Sequence, residues 1–161
     1  IVILCTPQSH IYMQNSNLLY VGLTRMKEGC YHLGALNSIN QAVKKKANLT
    51  RHINSEIDKR PFLSALVLSG GDPMYSAKEL IPILSKIHIP NNNIWCYSGF
   101  TLKEIQSNPE MSALLNLCTH LVDGQFEIVK RDITLNFRGS SNQNVWKKEN
   151  NIWVKQYGKD D

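Results

Sequence analysis

The chain has 161 residues, of which 42% are hydrophobic and 19% are charged, and its net charge is +5 at neutral pH. These proportions are typical of a soluble globular protein of one ordinary domain, or of two fragments. No apolar run approaches the roughly 20 residues that cross a bilayer. No basic region precedes the apolar start, so we predict neither a membrane-spanning segment nor a signal peptide.

The excess positive charge lies in the first third of the chain. Residues 53–161 carry basic and acidic side chains in equal number, whereas residues 1–52 carry one acid, Glu28, against six basic residues. The six are Arg25, Lys27, Lys44, Lys45, Lys46 and Arg51. This asymmetry predicts two segments with different partners, the first suited to a phosphate backbone. A solvated basic face is the alternative interpretation of a short lysine run.

Two strands and two helices are predicted in the first segment. The apolar start, residues 1–5, predicts a strand whose upstream partner is missing, or a chain that lacks a few preceding residues. Apolar residues at helical spacing predict a helix over 15–26. A short strand over 30–33 and a basic helix over 37–46 follow.

Strands alternate with helices in the second segment. Turn residues and apolar runs predict strands over 62–68, 94–97 and 120–123, and helices over 76–86, from 101, and over 111–118. Thr101 and Glu104 form a predicted capping box, and Asn108-Pro109 ends the helix that this box begins. Such alternation predicts an α/β fold built from parallel β-α units.

Each of three consecutive predicted strands ends in small or polar residues. The stretches are Ser69-Gly70-Gly71-Asp72-Pro73, Ser98-Gly99-Phe100 and Asp123-Gly124. In parallel β-α architecture ligands bind beyond the carboxyl ends of the strands, and a glycine pair lets the backbone approach a ligand closely. Asp72 is suited to accept from an ammonium group, and Pro73 would stiffen the exit from its strand. An ordinary turn is the alternative interpretation.

Four motifs in this order resemble the C-terminal part of the radical S-adenosylmethionine (SAM) enzymes that activate anaerobic ribonucleotide reductases. They are LSGGDPMY (68–75), IWCYSGFTLKE (94–104), LVDGQF (121–126) and FRGSSNQ (137–143). The resemblance implies a partial (βα) barrel, half of the family's domain, over residues 53–161. In that family a [4Fe-4S] cluster binds and reduces SAM, and the resulting radical takes a hydrogen atom from a glycine of the reductase.

The resemblance also implies roles for individual residues. Gly70, Gly71 and Asp72 would hold the amino end of SAM, with Pro73 directly behind them. Ser98 and Gly99 would line the cofactor cleft, and Asp123 would lie at the mouth of the barrel. Four residues of the last motif would be structural or would face the reductase: Arg138, Ser140, Asn142 and Gln143. A surface salt bridge is the alternative for Arg138.

The four cysteines, Cys5, Cys30, Cys96 and Cys118, do not provide the family's cluster loop. That loop, C-x-x-x-C-x-x-C, leaves one iron open for SAM, and the sequence has no such spacing. Cys30 resembles the loop's last cysteine, but Leu23 and Lys27 occupy the partner positions. Cys96 and Cys118 are predicted to be buried. We therefore expect no metal ligands, no activase activity of the chain alone and, without a disulfide scaffold, a cytoplasmic location.

The run NLLYVGLTR (17–25) resembles the last motif of superfamily 1 DNA helicases. In that family the arginine reaches the γ-phosphate of ATP, a role that would fall to Arg25 beside Thr24. Walker motifs are absent from the sequence, which excludes ATPase activity for this chain alone. We predict that residues 1–52 are a small α/β helicase C-terminal fragment, joined near residue 52 through gene fusion, deletion or a sequence-assembly error.

The leading hypothesis from the sequence is a truncated activase homologue that keeps the SAM-binding and reductase-facing half. The first alternative is a nucleic-acid-associated fragment that makes weak contacts through the basic segment 44–51. The second is an inert fusion product. Since a half-barrel exposes sheet edges that its missing strands should cover, we also expect broad, non-cooperative thermal melting.

Overall fold

The computed structural model describes residues 2–6, 30–34 and 50–158. The strands are β1 (Val2–Thr6), β2 (Cys30–Gly34), β3 (Leu66–Gly70), β4 (Ile94–Tyr97), β5 (His120–Asp123), β6 (Asn144–Glu149) and β7 (Ile152–Tyr157). The helices are α1 (50–58), α2 (Ala77–Leu84), α3 (Leu102–Ser107) and α4 (Pro109–Asn116). Short 3-10 turns lie at Pro73–Ser76, Pro90–Asn92 and Ile128–Lys130.

The strands form one sheet in the order β2-β1-β3-β4-β5-β6-β7. The pairs from β2 to β5 are parallel, whereas β6 and β7 pair antiparallel. This confirms the predicted α/β class and its parallel strands. The pairings place β2 and β7 at the two ends of the sheet. The more specific expectation of a half-barrel stays a prediction.

One face of the sheet packs against the helices. Leu66, Leu68, Cys96 and Leu121 are fully buried there, at every second position of β3 and β4 and on β5. The helices contribute apolar side chains that are nearly all inaccessible: Ile53, Ile57, Leu80, Ile83, Leu84, Ile105, Leu114 and Leu115. Burial of each such side chain stabilises the fold by about 1.5–3 kcal/mol before entropy is counted. The parallel strands and the helices therefore share one hydrophobic core.

Local sequence sets the ends of α3 and α4. The Thr101 hydroxyl accepts from the Glu104 amide at 3.3 Å, and the Glu104 carboxylate accepts from the Thr101 amide at 2.7 Å. This confirms the predicted capping box. Asn108 then ends α3 and caps α4, and Pro109 occupies the first position of α4, where an amide is not needed.

Three predicted boundaries were wrong. The strand placed at 62–68 is Leu66–Gly70, because a turn with a bond from the Leu63 amide to the Arg60 carbonyl leaves Phe62 67% exposed. The helix placed at 76–86 is Ala77–Leu84, with a 3-10 turn before it. The helix placed at 111–118 begins at Pro109 and ends at Asn116.

The β6–β7 hairpin was absent from the sequence-based prediction. Its turn contains Asn150 and Asn151, both at positive φ (50° and 63°), which matches the tight two-residue turns of hairpins. The signal was available, since an Asn-Asn pair lies between VWKKE and IWVKQ. Asparagine tolerates this conformation better than most residues.

Both strands predicted in the first segment are present, at Val2–Thr6 and Cys30–Gly34. β1 pairs with β2 on one side and with β3 on the other, so the sheet includes strands from both sides of residue 52. The predicted helices over 15–26 and 37–46 lie outside the described residues. Within residues 2–6, 30–34 and 50–158, no helix combines the length and apolarity that crossing a membrane requires.

Candidate functional site

The loops that follow β3, β4 and β5 meet at one edge of the sheet. Parallel register brings the ends of these strands together, with Leu68 beside Cys96 and Tyr97 beside Val122. We call the meeting loops the rim, defined as residues 70–72, 98–100 and 123–125. The Gly124 amide donates to the Phe100 carbonyl at 3.2 Å, which joins the second loop to the third. The three strand ends with small or polar residues therefore lie together at one edge of the sheet.

Asp72 joins the first loop to the second. Its Oδ1 accepts from the Met74 amide at 3.0 Å, and its Oδ2 accepts from the Gly99 amide at 2.7 Å. The Ser98 hydroxyl lies within hydrogen-bond distance of both carboxylate oxygens, at 3.0 Å and 2.9 Å. The carboxylate thus has donors of this chain on both oxygens. Asp72 also caps the 3-10 turn Pro73–Ser76.

Glycine is required at two positions of the rim. Gly70 and Gly124 have φ values of 110° and 93°, a region that side chains with a Cβ rarely occupy. Gly70 lets the chain leave β3 and present the backbone of Gly71 at the edge of the sheet. A Cβ at Gly99 would lie 3.5 Å from Asp72 Oδ2 and 3.9 Å from the Gln125 Cα, so this glycine lies between the first and third loops.

Ser98 is the buried centre of the rim, with 6% of its surface exposed. Its amide donates to the Val122 carbonyl at 2.9 Å, and its Oγ accepts from the Phe100 amide at 3.1 Å while donating to Asp72. Ser98 therefore contacts all three loops or the strands that lead to them. Beside it, Phe100 makes an edge-to-face contact with Tyr75, a residue that is 61% exposed. Sequence reasoning missed Tyr75 as part of this edge.

Asp123 is buried in the third loop, with 2% of its surface exposed. Its Oδ2 accepts from the Leu102 amide at 2.7 Å, and its Oδ1 accepts from the Asn144 side-chain amide at 2.8 Å. The first contact places a carboxylate at the N-terminus of α3, where the helix dipole favours negative charge. Asp123 thus joins β5 to α3 and β6.

The RGSSNQ stretch, residues 138–143, makes hydrogen bonds to the third loop of the rim. Gln143 Oε1 accepts from the Gly139 and Ser140 amides at 3.0 Å and 3.2 Å, and its Nε2 donates to the Gly124 carbonyl at 2.9 Å. Asn142 donates to the Gln125 carbonyl at 2.7 Å. Arg138 donates to the Gln143 carbonyl at 3.3 Å. These internal contacts support the structural reading of the motif.

Ser140 completes this support. Its side chain is fully buried, and its Oγ accepts from the Glu127 amide at 3.3 Å. The Ser140 backbone also bridges to Arg131, and the Ser141 amide donates to the Lys130 carbonyl at 2.9 Å. Hydrogen bonds from the RGSSNQ stretch therefore hold the long connection between β5 and β6 in place.

A cluster of four aromatic side chains covers part of the sheet face opposite the helices. The Trp95 and His120 rings stack with centroids 4.1 Å apart and an interplanar angle of 4°. Phe137 lies 5.0 Å from Trp95, and Tyr157 lies 6.3 Å from Phe137. Burial, and secondly the positive charge of Lys147, lower the pKa of His120, so its neutral form is favoured in the stack.

Matches to known proteins agree with the resemblance seen in the motifs. A family model described as a 4Fe-4S single cluster domain matches residues 18–146. An anaerobic ribonucleoside-triphosphate reductase-activating protein of Salmonella typhi is 31% identical in an alignment of 133 positions that covers 76% of this chain and 85% of the relative. The chain belongs to this family of activating proteins.

Two further activating proteins show the same extent of similarity. The protein of Vibrio cholerae is 33% identical over 132 residues, covering 74% of this chain and 83% of its own length. The protein of Pasteurella multocida is 28% identical over 137 residues, covering 81% and 85%. No solved structure matches this chain.

The family match extends across residue 52, since it begins at residue 18. The helicase resemblance of residues 1–52 receives no support from the relatives, and the boundary near residue 52 stays a prediction. Thr24 and Arg25 lie outside the described residues, as do residues 44–49 of the basic segment. The predicted nucleotide and nucleic-acid contacts therefore remain predictions.

The four cysteines lie on separate elements: Cys5 on β1, Cys30 on β2, Cys96 on β4 and Cys118 just after α4. Cys96 and Cys118 are unbridged and buried, as predicted, with at most 1% of their surface exposed. On β1, Cys5 lies beside Gly70, at the end of the strand nearest the rim. Cys30 on β2 lies beside Val2, which is three residues before Cys5 on β1, a distance of about 10 Å along the strand. Among the described residues, no group of three or more His, Cys, Asp or Glu side chains is arranged to hold a metal ion.

Proposed function

We propose that this chain binds SAM at the rim and that its protein partner is an anaerobic ribonucleoside-triphosphate reductase. The observation that carries the proposal is the meeting of three glycine-containing loops at the carboxyl ends of parallel strands, where α/β proteins bind ligands. The names of the relatives supply the partner, because those proteins are named as activators of that reductase.

The rim offers backbone groups more than side chains. Gly70 is exposed and Gly71 is partly exposed, and neither has a Cβ to keep a ligand away. We expect their backbone groups to bond the amino-acid end of SAM, with Pro73 fixing the turn behind them. Ser98 and Gly99 would then line the next part of the cleft, and Asp123 would support it through α3.

We also propose that the 161-residue chain does not assemble a four-iron cluster by itself. A cluster that keeps one iron open needs three thiolates brought together, and the sequence has no C-x-x-x-C-x-x-C. Activation of a reductase by this chain alone is therefore not expected. A cytoplasmic location likewise remains a prediction, made from the cysteine pattern.

Equilibrium dialysis of the full chain against radiolabelled SAM tests binding. We expect saturable binding that is lost in Gly71→Val, because the new side chain would fill the space in which the ligand approaches the backbone. Ala113→Val, which introduces the same side chain on the exposed side of α4, serves as the control. Absence of saturable binding by the unchanged chain would refute the proposal.

Anaerobic reconstitution with iron and sulfide tests the second part. We expect neither a cluster absorption band nor SAM cleavage beyond that of a sample treated without protein. A cluster band accompanied by SAM cleavage would contradict the proposal. Adding the purified reductase to the same sample would then show whether a glycyl radical forms.

A further inference from the structure

Asp72 has little hydrogen-bonding capacity left for a ligand. Each of its oxygens has two donors of this chain within 3.0 Å. Because Ser98 has one hydroxyl proton, these contacts represent three protons, from Met74, Ser98 and Gly99. An ionised carboxylate offers about four lone-pair positions. A ligand's ammonium group would have to displace these bonds or share what remains.

The bonds of Asp72 also determine where other groups of the rim lie. Met74 belongs to the turn after β3, whereas Ser98 and Gly99 belong to the loop after β4, 26 and 27 residues further along the chain. The Phe100 amide donates to the same Ser98 hydroxyl, and the Phe100 carbonyl accepts from the Gly124 amide. One carboxylate therefore sets the spacing of the first two loops and, through Phe100, of the third.

We propose that Asp72 is a positioning residue, which holds the backbone of the rim in place and makes no ion pair with the ammonium group of the ligand. This inference rests on the proposed function in naming the ligand, but the positioning role concerns the free chain as well. It differs from the sequence-based expectation, in which the Asp72 carboxylate itself accepts from that ammonium group. In this role the Asp72 oxygens contribute to ligand binding as hydrogen-bond acceptors for the rim backbone, and the negative charge contributes less.

Two conservative variants separate these roles. Asp72→Asn removes the charge but keeps an oxygen that accepts from Gly99 or Ser98. Ser98→Ala keeps the charge but removes one donor and the acceptor for the Phe100 amide. Positioning predicts that both variants weaken SAM binding, because each removes hydrogen bonds that join the first two loops. An ion pair predicts a loss of about 30-fold or more for Asp72→Asn and little change for Ser98→Ala.

Amide hydrogen exchange of the free chain, followed by NMR, gives a readout that needs no ligand. Positioning predicts faster exchange at Gly99 and Met74 in Asp72→Ala, with smaller changes in Asp72→Asn. The amides of the β6–β7 pairing serve as the internal control. If Asp72→Ala does not fold, Ser98→Ala is the substitute, and faster exchange at Gly99 and Phe100 is the expected result.

The two readouts together separate failure of this inference from failure of the proposed function. A chain that binds no SAM yet shows the predicted exchange would refute the proposed function and keep Asp72 as a positioning residue. Unchanged exchange at Gly99 and Met74 in Asp72→Ala would overturn the positioning role. A 30-fold loss of SAM affinity in Asp72→Asn, with Ser98→Ala unaffected, would overturn it as well.

Discussion

The Asp123 carboxylate accepts a hydrogen bond from the Leu102 amide at 2.7 Å, so the end of β5 is bonded to the first residue of α3. This contact joins two residues that are 21 positions apart in the sequence. Asp72 joins the loops that follow β3 and β4, and Asp123 joins the end of β5 to α3 and β6. The rim is thus a bonded unit rather than three independent turns.

Loss of the Asp123 carboxylate should destabilise the chain. Asp123→Ala leaves the Leu102 amide and the Asn144 side-chain amide without their buried acceptor, and each unsatisfied group costs about 1–3 kcal/mol. We expect a decrease of about 2 kcal/mol or more in the free energy of unfolding, measured in urea. The exposed Asp58→Ala is the control and should change it by less than about 0.5 kcal/mol. Equal stability of the two variants would show that the Asp123 contacts contribute little.

Gln143 should be the most sensitive residue of the RGSSNQ stretch. Gln143→Ala removes the acceptor of the Gly139 and Ser140 amides and the donor to the Gly124 carbonyl. At roughly 1 kcal/mol for each bond, the expected loss of stability is about 2–3 kcal/mol. Gln106→Ala, at an exposed position of α3, is the matched control. Calorimetric melting curves that coincide for the two variants would contradict the structural reading of this motif.

Stability should depend on pH through Glu104. Hydrogen bonds from the Thr101 amide and hydroxyl lower the pKa of this carboxyl from 4.5. Because the folded-state pKa lies below the unfolded one, the stabilisation is present above about pH 4.5 and is lost as the pH falls through the folded-state pKa. The difference in melting temperature between the unchanged chain and Glu104→Gln should therefore shrink between pH 6 and pH 3, as checked by thermal melts. Glu79→Gln is the control, and a difference that stays constant with pH would contradict this account.

The hairpin turn should distinguish between residues by their tolerance of positive φ. Asn151 has φ 63°, and alanine in this region costs roughly 1–2 kcal/mol more than glycine. We expect Asn151→Ala to lower the free energy of unfolding by about 1 kcal/mol relative to Asn151→Gly, measured by urea denaturation. Gln156→Ala, at an exposed position of β7, is the control. Equal stability of the alanine and glycine variants would argue against this turn geometry.

The sequence predicted what depends on local patterns. The capping box at Thr101 and Glu104 and the break at Asn108 were correct, because each is decided within a few residues. The parallel pairing of β3, β4 and β5 followed from the alternation of strands and helices. The start of β3 was misplaced because the apolar character of Phe62 and Leu63 does not show that a turn includes them.

The geometry of the site was less predictable, because its hydrogen bonds join residues that are far apart in the sequence. The sequence indicated that Ser98 and Gly99 follow a strand, but not that they bond Asp72, which lies 26 and 27 residues before them. The role of Gln143 beneath Gly124 similarly depends on how the connection between β5 and β6 folds back. No local pattern determines such contacts.

NMR titration of the full chain with SAM tests the central claim most directly. Binding at the rim predicts saturable shifts of the Gly70, Gly71, Gly99 and Gly124 amides. The amides of His88 and Asn150, which line a separate cavity with a volume of about 580 Å³, should stay unchanged. Shifts at that cavity without shifts at the rim, or no saturable shift at all, would contradict the account.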